Sequence, residues 1–233
     1  MGGMLSVLFV LMQAGDAKPP PALRPEPRAD DWWQTRQASV NARVKQGNVD
    51  LLFLGDSITQ GWETEGKDVW AQRYAPRRAV NLGFSGDRTQ HLLWRLDHGN
   101  LDGIKPKAAV LMIGTNNSGE DSAQDIAAGV VAIVKKLREK LADTRVLVLA
   151  IFPRGEKPNP QRDKIEQANQ IIEKVADGKM VHYLDIGKQL RSADGSIEKE
   201  IMPDFLHLSP KGYEIWAGAI EPKLAELMGE KGT

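Results

Sequence analysis

Three residues in two distant segments of the chain have the types needed for acyl transfer. Ser57 follows a short apolar run, and a serine hydroxyl becomes a nucleophile once a base takes its proton. His207 is the candidate base, because imidazole ionises near neutral pH. Asp204 lies three residues earlier, where a carboxylate could hold the other ring nitrogen and stabilise the imidazolium. These residue types predict a covalent intermediate on Ser57.

Two further segments could supply hydrogen-bond donors to a developing negative charge. Asn116 offers a side-chain amide, and Gly86 offers a backbone N–H that no side chain obstructs. Together with the N–H of Ser57, they would form an oxyanion hole for a tetrahedral intermediate. These groups are far apart in the sequence, so only the fold can bring them to one place.

Each segment taken alone also has a structural interpretation. The Gly-Asp-Ser stretch at 55–57 is typical of a turn before a helix cap. The Gly-Thr-Asn-Asn stretch at 114–117 is typical of a loop. Asp204 and His207 could equally form a structural pair or a cap before the final helix. The catalytic hypothesis therefore depends on where the segments lie in the fold.

Apolar runs alternate with helical periods along most of the chain. Strands are predicted at 49–54, 79–82, 108–113 and 145–151, with a weaker strand at 180–184. Helices are predicted at about 30–45, 87–97, 122–142, 160–177 and 210–228. Apolar strands separated by helices indicate an α/β domain with a parallel sheet covered on both faces. Because ligands bind beyond the carboxyl ends of such strands, all the polar segments are expected on one face.

The composition excludes several classes of function. Lys and Arg total 31 and so do Asp and Glu, so the 233-residue chain has no basic excess for nucleic-acid backbones. Cysteine is absent, which excludes disulfides, thiol nucleophiles and Cys-based metal sites. No HExxH or comparable ligand spacing occurs, so we expect no metal site. With 41% hydrophobic and 27% charged residues, the chain is predicted to be globular.

The N-terminal part of the chain divides into two short regions. Residues 4–12 are apolar or small, fewer than the roughly 20 that span a bilayer, and small residues follow at 14, 15 and 17. We interpret residues 1–17 as a signal peptide for export to the periplasm or the medium. Because no Lys or Arg precedes the apolar run, a cytoplasmic location stays open. Residues 18–31 contain five prolines and predict a linker or surface arm before a domain at 32–230.

Four blocks of the sequence resemble those of the SGNH (GDSL) hydrolases. In the order of that family they are GDSIT at 55–59, Gly86 in NLGFSGD, GTNN at 114–117 and DFLH at 204–207. Within the family, the catalytic α subunits of platelet-activating factor acetylhydrolase are similar to this chain at 91–99, 104–107 and 153–160. The resemblance covers about residues 47–228. It implies a single flavodoxin-like, three-layer α/β domain with a five-stranded parallel sheet.

The resemblance also implies a role for each candidate residue. Ser57 would be the nucleophile, with His207 and Asp204 completing a catalytic triad. The backbone N–H groups of Ser57 and Gly86 and the Asn116 side chain would form the oxyanion hole. The resemblance implies neither a metal nor an organic cofactor. Members of this kind favour short acyl groups, usually acetyl, and the residues expected to narrow the acyl pocket flank the catalytic ones: Ile58, Thr115 and Leu206.

Three functions stay open on the sequence alone. The preferred prediction is a serine esterase for short-chain esters, above all acetyl, whose substrate is an acetylated carbohydrate if the chain is exported. The first alternative is a phospholipid-directed acetylhydrolase or a lysophospholipase. The second is an exported glycan-binding module without activity, which the intact Ser57, Asn116, Asp204 and His207 argue against. The expected partner is a small acyl ester, with no nucleic acid and no integral membrane span, and a homodimer stays open.

Overall fold

The computed structural model describes residues 18–230, and the predicted signal peptide at 1–17 lies outside them. Five strands form one parallel sheet in the order β2-β1-β3-β4-β5. The strands are β1 (Leu51–Gly55), β2 (Ala79–Gly83), β3 (Ala108–Met112), β4 (Arg145–Leu149) and β5 (Val181–Leu184). The α-helices are α1 (Asp31–Lys45), α2 (Ser57–Gln60), α3 (Lys67–Arg73), α4 (Thr89–Asp97), α5 (Ala123–Lys140), α6 (Pro160–Ile172) and α7 (Pro210–Met228). The strand order reverses between β1 and β3, which is where such sheets bind ligands.

The sheet divides the core in two, because successive side chains of a strand point to opposite faces. Leu52 and Leu54 of β1 belong to one apolar cluster, together with buried residues of α1, α4, α5 and α6. Leu51 and Phe53 belong to the other, together with buried residues of α2 and α7. Helices cover both faces, so all five positions of β1 are buried. The predicted fold class, a single flavodoxin-like three-layer α/β domain with a five-stranded parallel sheet, is confirmed.

The fourth strand is shorter than its apolar run predicts. The sequence predicts a strand to residue 151, whereas β4 ends at Leu149. Beyond it, the side chain of Asn169 in α6 accepts a hydrogen bond from the Ile151 N–H at 2.8 Å and donates one to the Ile151 carbonyl at 2.9 Å. Ile151 is 2% exposed. The sequence stays apolar beyond β4 because the chain is still buried there. The backbone groups of Ile151 are hydrogen-bonded to the Asn169 side chain instead of to a neighbouring strand.

The proline-rich segment at 18–30 lies against the domain. Ala22, in the short 3₁₀ turn Pro21–Leu23, is fully buried. Its carbonyl accepts a hydrogen bond from the Thr89 hydroxyl of α4 at 2.9 Å. The Glu26 N–H donates to the Gln90 carbonyl at 3.4 Å. The segment is therefore an arm with fixed contacts to the first turn of α4, and α1 follows it directly.

The carboxyl end of β2 is packed tightly against α2. Asn81, a buried polar residue of β2, donates to the Thr59 carbonyl at 3.0 Å and accepts from the Gly83 N–H at 2.8 Å. A Cβ atom at Gly83 would lie only 2.2 Å from the backbone nitrogen of Gln60. Glycine at this position therefore lets α2 approach the strand end closely.

We expect Gly83→Ala to lower the free energy of unfolding by about 1–3 kcal/mol, because the added methyl group must displace the backbone of α2. Gly218→Ala is the matched control. It lies on the exposed side of α7 with no atom within 4 Å of the new methyl group, and should raise stability by about 0.5–1 kcal/mol. Urea denaturation followed by circular dichroism measures both effects. Equal effects of the two substitutions would contradict the close approach.

Candidate active site

Three of the residues predicted from the sequence form one hydrogen-bonded chain. The His207 Nε2 lies 2.9 Å from the Ser57 Oγ, and the His207 Nδ1 lies 2.7 Å from the Asp204 Oδ2. When Nδ1–H donates to the carboxylate, Nε2 is left to accept the hydroxyl hydrogen. The fold thereby joins a serine and a histidine that are 150 residues apart. Nearly half of the His207 side chain is exposed, so a substrate can reach the site from solvent.

Ser57 is held by the turn between β1 and α2. It is the first residue of α2, so its backbone N–H has no acceptor within the helix. Asp56 Oδ1 accepts a hydrogen bond from the Ile58 N–H at 3.0 Å. The Tyr213 hydroxyl of α7 donates to the Ile58 carbonyl at 2.7 Å. These two bonds fix the first turn of α2 and leave Ser57 half-buried with its hydroxyl at His207.

Asp204 closes a tight loop that presents His207. Its Oδ1 accepts from the N–H groups of Leu206 and His207 at 3.1 and 2.7 Å. Phe205, which follows Asp204, has a φ of +60°, in the left-handed region that residues other than glycine seldom adopt. Partial burial acts to raise the pKa of Asp204, but hydrogen bonds from the His207 ring and the two N–H groups outweigh it and lower the pKa. The carboxylate therefore stays ionised and orients the His207 ring.

The predicted oxyanion donors lie on the loops that follow β2 and β3, the two strands flanking β1. Gly86 has a φ of +75°, which favours glycine, and no acceptor for its N–H occurs within residues 18–230. The Asn116 Nδ2 donates one hydrogen to the Asp87 carbonyl at 2.9 Å. Its second hydrogen has no acceptor in the same part of the chain. With the Ser57 N–H, this edge of the sheet offers three donors to a ligand.

The three residues predicted to narrow an acyl pocket differ in exposure. Ile58 and Thr115 are each 1% exposed, so their side chains lie below the surface of the site. Leu206 is partly exposed and packs against the apolar cluster on the α7 side of the sheet. Of the three, only Leu206 leaves part of its side chain accessible to solvent.

Arg154 lies at the site, although the sequence alone does not single it out. Its Nη1 donates to the Thr115 carbonyl at 3.2 Å and to the Thr115 hydroxyl at 3.3 Å. Burial lowers the pKa of Arg154, while the negative charges of Asp56 and Asp204 act to raise it. The guanidinium thus connects the loop after β3 electrostatically with the loop that carries Asp204. The available signal was its position just past the end of β4, where ligand-binding residues gather.

Asp56 is buried next to Ser57 with one carboxyl oxygen unpaired. In the described part of the chain, no group hydrogen-bonds to the Asp56 Oδ2. Burial raises the pKa of Asp56 to about 7; the Ile58 N–H opposes the rise, the charge of Asp87 adds to it and that of Arg154 opposes it. Near neutral pH this carboxyl group is therefore only partly ionised.

No group of three side chains suited to holding a metal ion occurs within residues 18–230. Two histidines outside the site have other partners. The His91 Nδ1 accepts from the Arg88 N–H at 3.0 Å, and the His98 ring stacks on Trp94 with centroids 3.7 Å apart. Over the same residues, no helix is long and apolar enough to cross a bilayer.

Comparisons with known proteins identify the family of this chain and its fold. A model of the GDSL-like lipase/acylhydrolase family matches residues 53–215. Platelet-activating factor acetylhydrolase IB subunit alpha2 of Rattus norvegicus is 36% identical over 223 residues, covering 94% of this chain and 96% of the rat protein. A solved GDSL-like lipase from Bacteroides thetaiotaomicron, 18% identical, has a TM-score of 0.67 over 82% of this chain and 97% of its own. A solved carbohydrate acetylesterase from Sinorhizobium meliloti, 20% identical, has a TM-score of 0.60 over 77% of this chain and 100% of its own. The two solved structures show a shared fold.

We expect the free energy of unfolding of Asp56→Asn to increase relative to that of the wild-type protein as the pH rises. The pKa of Asp56 is about 7 in the folded protein against an ordinary value of 3.8. Its contribution to stability is therefore complete below about pH 4 and is lost as the pH rises through about 7. Between these values the variant should gain about 1.4 kcal/mol per pH unit over wild type. Urea denaturation at pH 4, 5.5 and 8 measures the gain, with pH 4 as the internal reference, and a difference that does not change with pH would contradict it.

Proposed function

The chain belongs to the GDSL-like lipase/acylhydrolase family and is an esterase-type hydrolase, and from this premise we propose that it hydrolyses short-chain esters, above all acetyl esters, through an acyl-enzyme on Ser57. The observation that carries the proposal is the continuous chain from the Ser57 hydroxyl through the His207 ring to the Asp204 carboxylate. Serine esterases need this order of groups, because the base must be oriented before it can activate the hydroxyl.

The proposed reaction begins at the Ser57 hydroxyl. His207 Nε2 takes its proton as Oγ attacks the ester carbonyl, and the resulting oxyanion accepts hydrogen bonds from Ser57, Gly86 and Asn116. The tetrahedral intermediate collapses, the bond to the alcohol oxygen breaks, and His207 returns the proton to that oxygen. Water then attacks the acyl-enzyme with His207 again as base, which releases the acid and restores Ser57.

The size of the acyl group is proposed from the residues around Ser57. Leu206, next to His207 in sequence, is partly exposed at the site, whereas Ile58 and Thr115 are buried below it. We infer that the bulky apolar side chain of Leu206, adjacent to His207 in the sequence, limits the length of the acyl group that the site accepts. The proposal is supported by a relative named as an acetylhydrolase and 36% identical to this chain.

Acetylated carbohydrate is the proposed source of the acetyl ester. An exported esterase would meet such material, and residues 1–17 are interpreted as an export signal. One solved neighbour is named as a carbohydrate acetylesterase. The intact hydrogen-bonded chain at Ser57 argues against the inactive glycan-binding module.

A lipid substrate is the second candidate, and the similarity to platelet-activating factor acetylhydrolase IB subunit alpha2 favours it. In that case the alcohol half of the ester would be a phospholipid. The two candidate substrates are distinguished by measuring kcat/KM for acetate release. The compounds compared are an acetylated xylo-oligosaccharide and an acetylated ether phospholipid. A higher value for the saccharide supports the carbohydrate assignment, and a higher value for the phospholipid overturns it.

We expect Ser57→Ala to abolish hydrolysis of p-nitrophenyl acetate. Asp204→Asn should lower kcat by about 10³–10⁴-fold, because the His207 ring loses the partner that sets its tautomer. Asp102→Asn is the matched control: this exposed residue has no side-chain hydrogen bond within the described chain and should keep full activity. Retained turnover in Ser57→Ala would refute the serine mechanism.

We expect Leu206→Ala to shift the chain-length preference towards longer esters. The shortened side chain enlarges the acyl site. A single methylene group in an apolar pocket is worth about 1–3 kcal/mol of discrimination, or roughly tenfold and more. The ratio of kcat/KM for p-nitrophenyl octanoate to that for the acetate measures the shift. An unchanged ratio would remove Leu206 from the acyl site while leaving the role of Ser57 intact.

A further inference from the structure

We infer that Asp87 is a positioning residue for the oxyanion hole. We also infer that Trp33 and Arg28, which precede the residues 53–215 matched by the family model, help to hold Asp87 and its loop in place. The inference rests on the proposed function, because it concerns the donors assigned to the oxyanion. It adds the N-terminal arm and α1 to the machinery of the site. The sequence alone gives Asp87 no catalytic role.

The backbone of Asp87 touches two of the proposed oxyanion donors. Its carbonyl accepts the hydrogen bond of 2.9 Å from the Asn116 Nδ2, which orients that amide. Its N–H donates to the Phe84 carbonyl at 3.0 Å, which closes the turn containing Gly86. A shift of the Asp87 backbone would therefore displace the Gly86 N–H and release Asn116 together.

The carboxylate of Asp87 anchors this backbone from inside the protein. Asp87 is 0% exposed, and its two oxygens accept from separate helices. The Trp33 Nε1 of α1 donates to Oδ1 at 2.8 Å, and the Arg95 Nε of α4 donates to Oδ2 at 2.8 Å. Arg95 is itself 0% exposed and donates further to the Asn100 side chain at 2.7 Å. A buried charge pair with this many hydrogen bonds holds one geometry, since losing a partner leaves an unpaired buried charge.

Arg28 holds the same loop from outside. Its Nη1 donates to the Ser85 carbonyl at 2.8 Å and lies 3.8 Å from the Asp87 Oδ1. The guanidinium also covers Gly86, since a Cβ atom there would lie 2.9 Å from the Nη1. The loop of residues 85–87 is thus clamped between Arg28 on the arm and the buried Trp33 and Arg95.

The test is Arg28→Gln, with Arg24→Gln as the matched control on the same arm. Arg24 is exposed and has no side-chain hydrogen bond in the described residues, so both variants lose one positive charge and only one loses the clamp. For Arg28→Gln we expect kcat for p-nitrophenyl acetate to fall about tenfold, less than the roughly 10²–10³-fold that follows full loss of one donor. KM should change less than twofold, and thermal unfolding should show a folded protein.

The affinity for a trifluoromethyl ketone inhibitor distinguishes support of the oxyanion hole from a general structural role of Arg28. The serine adduct of this inhibitor carries an oxyanion, so its affinity should fall by the same factor as kcat in Arg28→Gln. The pH at which kcat/KM is half-maximal should stay at the wild-type value, because Ser57 and His207 do not contact Arg28.

Asp87→Asn is the stronger variant. It keeps the shape of the side chain and removes the charge that Arg95 faces. We expect kcat to fall by about 10²-fold, inhibitor affinity to fall by the same factor, and KM to change little. If it does not fold, the comparison of Arg28→Gln with Arg24→Gln decides alone.

Two results overturn the inference. If Arg28→Gln and Arg24→Gln have equal kcat and equal inhibitor affinity while wild-type activity depends on Ser57, the clamp has no role in catalysis and the proposed function stands. If the wild-type protein hydrolyses no ester, or Ser57→Ala keeps its activity, the proposed function fails and the inference falls with it.

Discussion

A parallel sheet buried on both faces is the constraint on which this molecule depends. Every residue of the central strands β1 and β3 is buried, so polar side chains are concentrated beyond the ends of these strands. Because all five strands point the same way, those ends meet at one edge. The turn after β1 holds Ser57, the loops after β2 and β3 hold Gly86 and Asn116, and a late loop brings His207 to the same edge. The residues of the proposed reaction therefore lie together at the carboxyl ends of the strands.

Buried polar side chains keep this edge rigid. Asn81 ties β2 to α2, Asp56 caps the first turn of α2, and Asn169 holds the chain past β4. Asp87 does the same for the loop after β2, with partners from α1 and α4. Each of these side chains makes a hydrogen bond to a loop or helix end where no neighbouring strand is available as partner. The loops around Ser57 therefore keep one arrangement. The raised pKa of Asp56 is a consequence of carrying such an anchor into the core.

The pattern of apolar runs and helical periods was enough to predict the sheet, and the predicted sheet placed the polar segments at one edge. The resemblance to a known family, rather than residue type alone, predicted that Ser57, His207 and Asp204 would be neighbours. The exact end of β4 was not predictable, because Ile151 is buried like a strand residue while its backbone pairs with the Asn169 side chain. Nor was the arrangement around Asp87, whose partner Trp33 lies 54 residues away. Sequence periodicity identifies buried positions in helices and strands, but a loop has none. A buried aspartate that anchors a loop therefore looks the same in the sequence as a solvated one. Such contacts depend on tertiary packing, which a single sequence does not encode locally.

The central claim is that His207 activates Ser57 as a nucleophile, and covalent labelling tests it most directly. The protein is treated with diethyl p-nitrophenyl phosphate, and the adduct is located by intact-mass measurement and peptide mapping. We expect a single diethylphosphoryl group on Ser57, formed with release of p-nitrophenol, and much slower labelling of His207→Gln at the same pH. An adduct on another residue, or equal labelling rates in the two proteins, would contradict it.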